Sequence, residues 1–219
     1  MWQHALALLL PSTCLCCESD IAVGAKPELG LCFPCYQDIR WRSGLEYLED
    51  SSLDALFAAG EFSDGLRDAI IHFKYHRRDY LAEELALHWL SRSAYGPDDY
   101  DVIVPIPMVP FKSLVRGYNP AAEIAAVIAR EHGRPLLTGI LRRRLFSISQ
   151  TDKNKVDRVQ NAKRGFALDS NASRITNLSV LLVDDVCTTG ATLDVCAKLL
   201  KSAGARYVLG AAAARDMLA

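Results

Sequence analysis

Four consecutive apolar residues, Val180-Leu181-Leu182-Val183, run straight into a pair of acids, Asp184-Asp185. A strand apolar at every position must be covered on both faces, which is the situation of a parallel sheet packed between helices. The chain continues as Val186-Cys187-Thr188-Thr189-Gly190-Ala191-Thr192, and then Leu193, Cys196, Ala197 and Leu200 fall on one helical face, with Gly204 placed as its stop. Few local patterns restrict a fold as much: strand, acidic end, short glycine-containing turn, helix.

Elsewhere the same alternation recurs. Leu53 to Phe62 suits a strand, and Leu66, Ala69, Ile70 and Phe73 mark a helix that Asp64 could cap. Tyr80 to Leu90 predicts a second helix, ended by Gly96-Pro97; Tyr100 to Val104 predicts a buried strand leading into Pro105-Ile-Pro-Met. Ala121, Ile124, Ala125 and Ile128 give another helical stripe, and Tyr207 to Ala213 a last strand. The predicted fold class is α/β, a mainly parallel sheet flanked by helices. At 219 residues there is room for one ordinary domain and a small appendage. The division expected is 1–45 for the appendage and 46–219 for the domain. Residues 134–164 break the alternation: nine Lys or Arg against two Asp give +7. That segment reads either as a solvated surface excursion or as a hood over an anionic ligand.

The turn itself suggests chemistry. Crevices beyond the carboxyl ends of parallel strands are where such sheets bind ligands, and a helix N-terminus offers free N–H groups to a phosphate. Gly190 allows close approach, and Thr188, Thr189 and Thr192 add hydroxyls. Asp184 and Asp185 would repel a phosphate beside them, so they suit sugar hydroxyls or a cation travelling with the ligand. Cys187 is either a reactive thiol beside a helix start or a small apolar filler.

Five of the seven cysteines lie in the first 45 residues, and four form two close pairs, Cys14-x₂-Cys17 and Cys32-x₂-Cys35. This spacing suits a four-thiolate tetrahedral metal site, zinc or less commonly iron; the alternative is four free core thiols. Four ligands leave no open position, which makes such a metal structural. Cys16 is left over as a competing thiol. Met1 to Leu10 is apolar but carries no Lys or Arg, so a short docked helix is expected rather than a targeting segment. No stretch approaches the roughly 18 apolar residues of a membrane span. With a net charge of −1, the molecule as a whole is no electrostatic trap for nucleic acid.

The segment Val-Asp-Asp-Val-Cys-Thr-Thr-Gly-Ala-Thr resembles the phosphoribosyl-pyrophosphate signature of type I phosphoribosyltransferases. His72-Phe-Lys-Tyr-His76, Val104-Pro-Ile-Pro107, Arg116-Gly-Tyr-Asn119, Arg143, Gln150, Arg158, Asn161 and Phe166, with the cysteine pairs, resemble the ComF family of competence-associated proteins in order and spacing. Departures are Cys187 in place of a branched aliphatic residue, Pro120 in place of Gln, Leu145 in place of Arg, and Arg164-Gly-Phe in place of Gly-Ala-Phe. The resemblance implies a type I phosphoribosyltransferase-like fold with an N-terminal zinc knuckle (Cys14, Cys17, Cys32, Cys35). It implies that Asp184 and Asp185 meet the ribose hydroxyls of 5-phosphoribosyl 1-pyrophosphate and are the candidate catalytic residues. Thr188, Thr189, Gly190, Ala191 and Thr192 would wrap the 5′-phosphate, with Mg²⁺ accompanying the ligand. Lys74, Pro107, Met108, Arg116, Arg143 and Arg158 become candidates to contact pyrophosphate. Two functions remain open: a cytoplasmic phosphoribosyltransferase with an unidentified acceptor, linked to DNA uptake, or a non-catalytic accessory module. The latter would bind single-stranded DNA or a helicase-type partner, although Phe146 and Phe166 are the only aromatics near the basic segment to stack bases.

Overall fold

The computed structural model describes residues 12–22, 24–75, 80–109, 116–144 and 165–217. In chain order the elements are β1 (Ser12–Thr13), β2 (Asp20–Ile21), α1 (Phe33–Gln37), β3 (Ala55–Glu61), α2 (Asp64–Tyr75), α3 (Tyr80–Arg92), β4 (Val102–Pro105), α4 (Pro120–His132), β5 (Leu141–Arg143), β6 (Phe166–Leu168), β7 (Ser179–Cys187), α5 (Ala191–Ser202) and β8 (Tyr207–Arg215). The main sheet has the order β3-β8-β7-β4, and all three of its pairings are parallel. Two antiparallel ribbons, β1–β2 and β5–β6, stand apart from it.

The apolar strands are covered on both sides, as their composition demands. Because side chains alternate across a strand, Leu181 and Val183 of β7 join Ala211, Ala213, Phe57 and Ile103 on one face, under α2, α3 and α4. Val180 and Leu182 join Val208, Ala212, Leu56 and Val104 on the other, under α5 and the β5–β6 ribbon. Helix α2 buries the stripe Leu66, Ala69, Ile70 and Phe73 read from its periodicity. Helix α4 starts with Asn119 as its cap, the side chain accepting from the Ala121 N–H at 3.2 Å, and Pro120 sits in the first turn, where its missing N–H costs nothing. Gly133 ends it in the left-handed conformation (φ 61°).

The cysteine-bearing segment is not a separate body. Cys14, Leu15, Ile21, Leu29, Leu31 and Ile39 belong to the same buried cluster as α2 and α3. Its Leu29 N–H donates to the Glu84 carboxylate of α3, and Glu28 lies 3.4 Å from His88 Nε2 of the same helix. Within the basic excursion Leu141–Arg143 form β5, which pairs with β6 just after it; residues 145–164, including Gln150, Arg158 and Asn161, lie outside the described residues, as does Met1 to Leu10. No helix among the described residues is long and apolar enough to cross a membrane.

At the centre of the α3 face, Trp89 is 1% exposed, stacks edge-on to Phe57 at 5.9 Å and donates its indole N–H to the Phe57 carbonyl at 3.3 Å. Trp89→Ala is expected to lower stability by about 3–5 kcal/mol in a urea titration; a loss within ~1 kcal/mol would show that this face is not the packed centre described.

Candidate functional site

Strand β7 runs further than its apolar composition indicated. The apolar run stops at Val183, whereas both acids remain in the strand, Asp184 opposite Ala212, and pairing with β8 persists to Cys187 opposite Arg215. The turn is therefore only Thr188, Thr189 and Gly190. Staying in the strand imposes the pleat on the two acids. Asp185 follows Leu181 and Val183 toward the α2 side, where its carboxylate meets Lys74 Nζ at 2.9 Å. Asp184 alternates to the α5 side, within the electrostatic reach of Arg143 on β5.

The titration of Asp184 reflects this placement. Burial, with the Asp185 charge next in weight, pushes the Asp184 carboxyl up to about 7, against smaller opposing help from the Asp185 N–H, Lys74 and Arg143. That N–H donates to Asp184 Oδ1 at 2.8 Å. Near neutrality Asp184 thus holds a proton that a ligand can displace, beside the Lys74–Asp185 ion pair.

Gly190 is the residue preceding α5 and holds φ 82°, a conformation that costs a side chain dearly; a Cβ there would also lie 2.8 Å from Leu48 Cδ1. Gly190 itself offers no capping side chain; the Ala191 N–H of the first turn donates instead to Thr189 Oγ1 at 3.3 Å. Asp184, Val186, Cys187, Thr188, Gly190, Thr192 and Leu193 line one small cleft, with Thr188 and Thr189 exposed and Ala191 half-buried beside them. Carboxylates on one side and a helix N-terminus on the other can accept hydroxyls and donate to an anion.

The neighbouring loop follows β4. Ile106 N–H donates to Val183 O at 2.8 Å, extending the pairing beyond the strand, and Asn119 Nδ2 donates to Ile106 O at 2.8 Å. Pro107 and Met108 are half-buried beyond it. Arg116 reaches Met108 Sδ at 3.7 Å and stacks over the Tyr75 ring at 4.7 Å, and the Tyr118 hydroxyl donates to Phe73 O. The structure therefore gathers Lys74, Arg116 and the Pro107–Met108 loop around the end of β7. Arg143 also faces that end, its guanidinium 4.6 Å over Phe166.

Several supporting residues escaped sequence reasoning. Asp194 in the first turn of α5 accepts from Ser52 N–H at 2.6 Å and Ser51 Oγ at 3.2 Å. Arg215 donates to Cys187 O at 3.4 Å and to its sulfur at 3.2 Å, while its Nε bonds Glu46 Oε2 at 3.2 Å. Only the acid in a helix's first turn carried a usable signal. Cys187 is 2% exposed, and burial raises its thiol pKa despite Arg215; it packs as a filler and not as a reactive thiol.

At the other end of the molecule, the ligand atoms of Cys14, Cys17, Cys32 and Cys35 all lie within 4.8 Å of one another. Cys17 and Cys32 sulfurs are 3.6 Å apart; a tetrahedron with metal–sulfur bonds of ~2.3 Å has edges of about 3.8 Å. The Cys32 N–H donates to Cys14 Sγ at 3.3 Å. The Ser19 hydroxyl and N–H pull Cys17 down to about 6, whereas burial and then the other thiols push Cys35 up. This donor set fits a thiophilic cation, which would hold all four as thiolates.

The Phosphoribosyl transferase domain family model matches residues 92–217, more than half of the chain. The chain belongs to this family. Among curated relatives, "Competence protein F" of Haemophilus influenzae is 27% identical over 216 residues, covering 89% of this chain and 93% of that protein. "Competence protein ComFC" of Bacillus subtilis is 27% identical over 144 residues, covering 65% of this chain and 56% of the relative. An "Amidophosphoribosyltransferase" of H. influenzae is 25% identical over 144 residues, 66% of this chain but 25% of the enzyme. The ComF resemblance read from the motifs is thus borne out, and the phosphoribosyltransferase-like architecture with it. Lys74 and the thiol cluster lie before the matched segment.

The raised Asp184 pKa has a consequence for stability. A carboxyl that titrates near 7 folded and at 3.8 as its ordinary value binds more protons in the native state between those values, so its contribution to stability falls as pH rises through that window. Asp184→Asn, which keeps an acceptor for the Asp185 N–H, is therefore expected to raise Tm by a few degrees at pH 8 and by much less at pH 4.5. A pH-independent difference in thermal melts would contradict the assignment.

Proposed function

We propose that this chain binds 5-phosphoribosyl 1-pyrophosphate together with Mg²⁺ at the carboxyl end of β7, and acts as a phosphoribosyltransferase-type protein in the handling of incoming DNA. The observation that carries the reading is the juxtaposition, within three residues of turn, of a two-carboxylate strand end and a glycine-started helix. Ribose 2′ and 3′ hydroxyls would donate to Asp184 and Asp185. The 5′-phosphate would accept from the amides and hydroxyls of residues 188–192. The pyrophosphate would then extend toward Pro107, Met108, Arg116 and Lys74, with Arg143 on the α5 side. Arg158, the remaining basic candidate, lies outside the described residues.

Loss of pyrophosphate from C1′ leaves an oxocarbenium-like sugar, so cations on the leaving group lower the barrier. Mg²⁺, a hard cation suited to phosphate and carboxylate oxygens, would supply part of that neutralisation when bound with the ligand. Lys74 would leave Asp185 as the ribose arrives. The four thiolates would hold zinc as a structural ion, since they fill a tetrahedron, and a thiolate set of this kind supports a reducing compartment, the cytoplasm. The link to DNA uptake rests on the competence proteins among the relatives. Single-stranded DNA and a helicase-type partner belong to the accessory reading, whose physical handle is the basic segment 134–164; of it, residues 145–164 lie outside the described residues.

Calorimetry should detect the Mg²⁺ complex of the sugar pyrophosphate binding the metal-replete wild-type chain. Asp184→Ala/Asp185→Ala should lose about 3–6 kcal/mol of that affinity, the range for two hydrogen-bonded charged groups. Affinity should rise from pH 6 to pH 8, because Asp184 must release its proton to accept from the ribose. Equal binding by wild type and double variant would refute the site. Labelled pyrophosphate released only when an acceptor is added supports a transferase; binding without release under every acceptor supports the accessory module.

A further inference from the structure

Helix α2 touches both chemical centres of the molecule. Its first turn packs against the thiol cluster: a Cβ on Gly65 would lie 2.8 Å from Leu31 Cδ1 and 2.9 Å from the carbonyl oxygen of Cys35, one of the four ligand residues. Asp64 and Gly65 share a cavity wall with Cys16 and Cys35. At its last turn, about 14 Å away at 1.5 Å per residue, Lys74 pairs with Asp185, and Phe73 O is held by Tyr118. Between these ends Leu66, Ala69, Ile70 and Phe73 are each 0% exposed.

Such a helix can slide or tilt only as a unit, because every side chain of its buried stripe is locked in a packed core. Only glycine permits the approach at its first turn, and only a few tenths of an ångström separate contact from clash there. The two-state element is the thiol segment: residues 12–37 contain two two-residue strands and a five-residue helix, little regular structure beside the four sulfurs that a cation would join. Folded, it supplies the wall on which α2 starts; unfolded, it withdraws Leu29 and Leu31 from the buried cluster they share with α2 and α3.

We propose that α2 is a strut through which occupancy of the four-thiol site sets the position of Lys74 on Asp185, so that the metal governs the affinity of the pocket at the end of β7. The part concerning ligand affinity rests on the sugar-pyrophosphate reading above; the part concerning Lys74 does not.

The test is limited acylation of lysines by acetic anhydride, mapped by peptide mass spectrometry, with metal content measured on the same samples. Three forms are compared: the zinc-loaded chain, the chain stripped by chelator and returned to buffer, and zinc-loaded Gly65→Ala. Lys201, paired with Asp54 at 2.9 Å beneath the other face of the sheet, is the internal control for general loosening. Lys74 labelling relative to Lys201 should rise at least about fivefold, the lower end of ordinary coupling between sites, on stripping and in Gly65→Ala. It should return on reloading zinc. An unchanged ratio in both forms overturns the proposal, and so does a parallel rise of Lys74 and Lys201, which would report global unfolding. Calorimetry with the Mg²⁺–sugar pyrophosphate on the same three forms then separates the two claims. A changed Lys74 ratio with no binding by any form removes the ligand reading and leaves the strut; equal binding by all three forms removes the coupling and leaves the ligand reading.

Discussion

Two carboxylates at the end of a buried strand cannot both ionise against a packed core without a cation, and much of the molecule is arranged around that constraint. Strand β7 carries Asp184 and Asp185 on successive residues, so the pleat sends them to opposite faces. One receives Lys74 from α2. The other retains its proton to near neutrality because it is buried beside its neighbour's charge. A polyhydroxyl ligand with its own cation would resolve the conflict from outside, which is why the arrangement reads as a binding site rather than as a structural ion pair.

The motifs scattered along the sequence make sense as one assembly around this strand end. Phe73 and Lys74 lie on α2, Val104 to Pro107 close β4, and Arg116 to Asn119 precede α4. The Tyr118 hydroxyl ties α2, the Asn119 amide ties the loop after β4, and the same Asn119 caps α4. One short segment thereby fixes three elements at the mouth of the site. Opposite it, Arg215 and Glu46 brace Cys187, and Asp194 draws the loop at Ser51 and Ser52 over the first turn of α5.

The layered sheet was legible in the sequence because its cause is local: runs such as Val180 to Val183 cannot tolerate water on either face, and stripes such as Leu66 to Phe73 face one way. The four-cysteine cluster was legible for the same reason, being two spacings within 22 residues. What stayed hidden depends on partners distant in sequence. Lys74 reads as a free cation until the fold sets it 2.9 Å from Asp185. Pro120, a departure from the family pattern, becomes ordinary once Asn119 is seen to cap a helix. The continuation of β7 past the acids to Cys187 was obscured because polar residues at a strand's end break its apolar pattern. The antiparallel ribbon β5–β6 was lost in a basic stretch, since three residues on each side are too few to show a period.

The central claim is that the turn between β7 and α5 is shaped for a phosphorylated sugar, its anion on the amides and its hydroxyls on the carboxylates. A crystal structure of the metal-replete chain soaked with 5-phosphoribosyl 1-pyrophosphate and Mg²⁺ tests it most directly. The account predicts the 5′-phosphate within hydrogen-bond distance of the backbone at residues 188–192, the ribose hydroxyls on Asp184 and Asp185, and Lys74 moved off Asp185. Density for the ligand elsewhere, or an unaltered Lys74–Asp185 pair with no ligand at saturating concentration, would contradict it.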